Sequence, residues 1–174
     1  EETLEQKVAR LLDGMANAFR PVGPGGNLRA ISLRGARLTL IDEGGGGRWT
    51  AQGANFEVAR QGRSLALAAD ARLEGPEGLA PATLRVTTDT RFQSAIVEFG
   101  AQDVRPRALF SAAALGPFAG LDAPLTATIS IGLDREVGIN RFEGDAVIGR
   151  GNARSDAGNF RLDGGRLHGR YDIA

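Results

Sequence analysis

The chain has no cysteine and only one each of histidine, lysine, tryptophan and tyrosine. Without cysteine there is no disulfide, no thiolate metal site and no cysteine nucleophile. Any histidine-based metal centre or Ser-His-Asp triad would rest on His168 alone, and its strand parity predicts an outward, exposed side chain. No metal, no cofactor and no enzymatic activity are therefore expected. The 21 basic and 21 acidic side chains cancel, so no net field favours nucleic acid or an anionic membrane surface. Aromatic residues such as Trp49, Phe56 and Tyr171 are too dispersed for a base-stacking platform. No run of about 18 apolar residues and no signal-type segment is found. Carboxylates at Asp42, Glu43, Glu74, Glu77, Asp89, Glu98, Asp134 and Glu136 fall at strand ends and loops, and none of them forms an evident acid–base pair. Asp134-Arg135-Glu136 lacks the spacing of a calcium loop.

What the chain does have is a period of two. In Ser64 to Glu74, Leu65, Leu67, Ala69, Ala71 and Leu73 alternate with small or polar residues. Such alternation specifies a strand with one apolar face. The pattern returns in Leu84, Val86 and Thr88, and in Leu125, Ala127, Ile129, Ile131 and Leu133. Repeated one-sided strands build an antiparallel sheet with an apolar side. The predicted fold is mainly β: a long antiparallel meander forming a curved, open sheet or groove, with an N-terminal helix and a short mid-chain helix.

The chain reads as a single β-rich domain, 1–174, excised from a longer protein. Residues 1–22 hold an amphipathic helix, Thr3 to Arg20, with Leu4, Val8, Leu11, Leu12, Met15 and Phe19 on one face. Thr3 and Gln6 form a capping box and Pro21 stops the helix. Its acidic polar face suits packing on the sheet better than lying on anionic lipid. Residues 28–104 carry a first strand set. Ile31 and Leu33 have one parity and Leu38 and Leu40 the other, so Gly35 is expected at a bulge or tight turn. Asp42 to Gly47 lacks the Gly-Lys-Ser/Thr of a phosphate loop and reads as a hairpin tip. Separate strands are expected at Arg48–Gln52 and around Phe56–Val58, and a loop at Gly75–Pro81. Residues 105–120 contain a short helix, Pro106 to Leu115, and 121–174 start a second strand set. Gly158–Leu162 and Arg166–Ile173 are expected to complete that meander.

Leu28 to Trp49, with its Ala36-Arg37-Leu38-x-Leu40-x-Asp42 run, resembles a segment of AsmA-like proteins, in particular bacterial envelope proteins of the YhdP type. Val104 to Leu133 resembles the same group's unit of Arg-Pro, Ala-rich helix and Leu-Asp-Ala-Pro-Leu, with Thr126-Ala127 where glycine is often seen. The resemblance implies an inner-membrane-anchored protein extending through the periplasm. Its apolar β-groove would carry phospholipid between the inner and outer membranes. The implied partners are phospholipid acyl chains and the remainder of the same chain, with membrane contact only through parts outside these residues. The residues expected on the groove face are Leu65, Leu67, Leu73, Leu84, Val86, Val97, Phe99, Ile129 and Ile131. The residues themselves leave a second reading open: the same face would also serve as the core of a β-sandwich or interaction module with no small ligand.

Overall fold

The computed structural model describes residues 10, 13, 29–41, 48–61, 64–75, 78–109, 119–155 and 158–173. Eleven strands and a short mid-chain helix have bounds among them. They are β1 (Ala30–Ile41), β2 (Arg48–Gln61), β3 (Ser64–Gly75), β4 (Gly78–Asp89), β5 (Ser94–Val104), α1 (Pro106–Leu109), β6 (Leu121–Asp122), β7 (Leu125–Asp134), β8 (Gly138–Ile148), β9 (Gly151–Ser155), β10 (Gly158–Leu162) and β11 (Gly165–Asp172). Eight strands form one open antiparallel sheet in the order β1-β2-β3-β4-β5-β7-β8-β11, and β10-β9-β6 form a small second sheet. The mainly-β meander expected from the period-two runs is the observed fold. The N-terminal helix expected at Thr3–Arg20 lies outside the described residues except for Arg10 and Asp13, both helical. Of the mid-chain helix, Pro106–Leu109 is described and helical.

Bulges keep the apolar parity continuous. Gly35 has φ +64° and sits at the register shift between Leu33 and Ala36, as the parity switch predicts. The extra residue returns Ala36 and Leu38 to the face of Ile31 and Leu33. The Asn55 side-chain oxygen accepts the Gly35 N–H at 3.1 Å. Gly53, φ +59°, does the same in β2. This corrects the expectation of two short strands there. A bulge breaks the sequence alternation without breaking the strand. In β5 the device recurs at Asp103, φ +52°, which brings Val104 back to the face of Ala101.

Three further expectations are corrected. Pro81 lies within β4, opposite Arg72, and not in a loop. β5 pairs with β4 only from Ala82 onward, so proline occupies a stretch where β4 is an edge and its missing N–H costs no ladder bond. The strands after α1 do not open a separate set, because β7 pairs directly with β5 over Ser94 to Val104. β10 does not continue the meander either. It pairs with β9, and β11 returns to β8.

The larger of the two buried clusters lies at one end of the large sheet. Val58, Leu65, Phe92, Ala95 and Leu133 are buried together, with Phe56, Leu67, Val86, Val97, Ile131 and Ile139 packed against them. Thr88 shares the apolar parity and is 2% exposed. Its hydroxyl donates to the Ser94 carbonyl at 2.7 Å, which removes the cost of burying it. The β4–β5 turn holds Phe92 at φ +56°. The Asp89 carboxylate accepts N–H groups of Arg91 at 2.6 Å, Gln93 at 3.4 Å and Ser94 at 3.3 Å. Partial burial pushes the Asp89 carboxyl up, but these bonds together with the Ser94 hydroxyl outweigh it and hold it below the ordinary range.

Candidate functional site

Cross-strand register assembles the alternating residues into rows that run across the sheet. One row passes through every strand of it: Ile31, Val58, Leu67, Val86, Val97, Ile131, Phe142 and Tyr171. The next row is Leu33, Phe56, Ala69, Leu84, Phe99 and Ile129, ending on Gly144 and Gly169. Beyond it lies a row of five alanines, Ala71, Ala82, Ala101, Ala127 and Ala146, followed by Leu167 on the edge strand. Val104, Leu125 and Ile148 form a further row on β5, β7 and β8.

The alanine row makes room. Between the Phe99–Ile129 row and the Val104–Leu125–Ile148 row lies a cavity of about 530 Å³. Pro106 of α1 and Leu121 of β6 line it from beyond the sheet, and Phe142 and Leu167 line it on the β8–β11 side. Asp145 and His168 also border it, but its accessible lining is almost wholly carbon. The volume is that of an ordinary small-molecule site.

All nine residues expected on the apolar face share it, but they divide between two environments. Leu65, 5% exposed, belongs to the buried core, and Leu67, Val86, Val97 and Ile131 pack against that core. Leu73 and Phe99 pack on the smaller cluster of Ala101 and Val104. Leu84 is half-buried. Only Phe99 and Ile129 of the nine line the cavity. Val104, Pro106, Leu121, Leu125, Phe142, Ile148 and Leu167 are its other large apolar lining residues and are not among the nine. The alternation of β7 and β8 marks Leu125, Phe142 and Ile148 as apolar-facing, whereas Pro106 and Leu121 carry no periodic signal.

Toward the two edge strands the face is left open. Ile31, Leu33 and Leu38 of β1 and Leu167 and Tyr171 of β11 are each more than 40% exposed. The opposite face is polar, with Arg34 and Glu57 at 3.6 Å, Asn55 donating to Asp70 at 2.9 Å, and Arg72 and Arg85 exposed. Such exposed pairs contribute little stability each. The His168 side chain is exposed, with Nδ1 3.0 Å from the Asp145 carboxylate on the neighbouring strand. Among the described residues no cluster of three or more histidine or acidic side chains is placed to hold a metal ion, and no helix is long and apolar enough to cross a membrane. Comparison with known proteins returns no matching family model, curated protein or solved structure.

Proposed function

We propose that this domain is a non-enzymatic segment of an AsmA-like envelope protein, and that its apolar sheet face holds phospholipid acyl chains in transit between the bacterial membranes. The observation that supports this reading most is the carbon-lined cavity on a face that stays open toward both edges. An acyl chain needs dry apolar contact and no headgroup pocket. Each methylene removed from water contributes about 0.8 kcal/mol, so ten of them supply about 8 kcal/mol before the entropic cost of binding.

A second reading has its own support. Val58 and Leu65 are 2% and 5% exposed, so that end of the face is ordinary core, as a purely structural module requires. The two readings part at the cavity. Native mass spectrometry of protein purified from bacteria should detect bound phospholipid. Ile129→Asp should abolish it while the domain still melts cooperatively, because a carboxylate desolvated in the cavity opposes acyl chains. Leu67→Asp should unfold the domain instead, since Leu67 packs on the buried core. Full lipid retention by a folded Ile129→Asp variant would refute the conduit.

A further inference from the structure

We propose that the polar side of the small sheet is a binding site for a phosphate-type oxyanion. The site is a cleft of about 280 Å³ where α1 meets β6, β9 and β10, lined by Arg107, Gly120, Asp122, Asn152, Arg154 and Asn159. Register explains why these groups converge. Asp122 pairs with Asn152, and Arg154 with Asn159, so all four share one face of the small sheet.

The charges in the cleft do not cancel. The Asp122 carboxylate is already engaged by the guanidinium of Arg105. Arg107 and Arg154 have no acidic partner among the described residues, which leaves an excess of two positive charges at the cleft. Arg154 is also oriented in advance. Its Nε donates to the Asn159 side-chain oxygen at 3.0 Å, so its two terminal nitrogens keep the planar fork that matches two oxygens of a phosphate. The side-chain amides of Asn152 and Asn159 add neutral donors.

The backbone beneath is fixed. The Arg154 N–H donates to the Gly120 carbonyl at 2.9 Å. A Cβ on Gly120 would stand 1.7 Å from the Arg154 carbonyl oxygen, so only glycine permits this approach. The cleft is separate from the apolar cavity. Leu121 turns to the cavity and the next residue, Asp122, to the cleft, so the inference does not depend on the lipid reading. A phospholipid headgroup and free phosphate offer the same chemistry here.

The test is a titration of isotope-labelled protein at low ionic strength, followed by amide NMR. Inorganic phosphate should cause saturable shifts at Asn152, Arg154 and Asn159. Arg107→Gln and Arg154→Gln should each weaken binding at least about tenfold. Arg154→Lys, which keeps the charge and loses the fork, should fall between. Arg85→Gln, on the outer face of the large sheet, should bind as wild type does. Arg107 and Arg154 are exposed, so the variants should keep the wild-type spectrum elsewhere. A second titration uses short-chain phosphatidylglycerol below its micellar concentration. Shifts at the same three amides with lipid as well as phosphate support the site and make the headgroup a source, while shifts with phosphate alone support it with the free anion as source. Absence of saturable shifts with both ligands, or wild-type affinity in both glutamine variants, overturns the proposal. Because the proposed function is read from lipid retention at Ile129, either result leaves that test independent.

Discussion

Ala127→Leu should raise the stability of the lipid-free domain, and the sign of that change tests whether the cavity is a real space. Ala127 is half-buried, sits between Ala101 and Ala146 in the alanine row, and lines the cavity of about 530 Å³. Leucine adds three carbons. Complete burial would contribute about 2.4 kcal/mol at about 0.8 kcal/mol for each, and at a half-open site about 1 kcal/mol is expected. For a domain of this size that corresponds to a rise in Tm of about 2–4 °C. If the alanine row were instead close-packed against its surroundings, the added carbons would overpack it and cost about 1–3 kcal/mol. The assay is thermal unfolding of delipidated protein, followed by native mass spectrometry of protein purified with its lipid. A stabilised variant with reduced lipid retention is the expected result. A fall in Tm of more than about 2 °C would refute the cavity, and with it the space in which an acyl chain is proposed to lie.

Two further outcomes follow from local geometry. Asp89→Asn should destabilise the domain by about 1 kcal/mol at neutral pH. The folded carboxyl is held below its ordinary range, so its stabilisation is complete above the unfolded value of about 3.9 and is lost as pH falls through the lower folded value. Urea midpoints of wild type and variant should therefore converge in acid, and a gap that stays constant down to pH 2 would contradict the assignment. Gly120→Ala should detach the small sheet, because the new Cβ meets the Arg154 backbone carbonyl. Hydrogen exchange should speed up in Gly151–Ser155 and Gly158–Leu162 while β3, β4 and β5 stay protected, and unchanged protection in the small sheet would show that the chain relaxes around the clash.

Alternation is a local property, and residue order alone determined it. Leu65, Leu67 and Leu73 must share a face in any strand that runs through them without a bulge, and so must Ile129 and Ile131. The bulge at Gly35 was legible for the same reason, since a parity switch within one apolar run requires an inserted residue if the strand is to keep its apolar face. The bulge at Gly53 was not, because β2 carries fewer large apolar residues to show the switch. Register is a non-local property, and only the tertiary structure decided it. Nothing in the sequence aligns Ala82 with Ala101, Ala127 and Ala146, yet that alignment creates the cavity. Nor does any periodic signal in Leu121-Asp122 reveal that a two-residue strand pairs with β9, sending leucine toward the apolar space and aspartate toward the arginines. Side-chain order fixes which way each residue points along its own strand. The pairing of strands far apart in sequence fixes what it meets there.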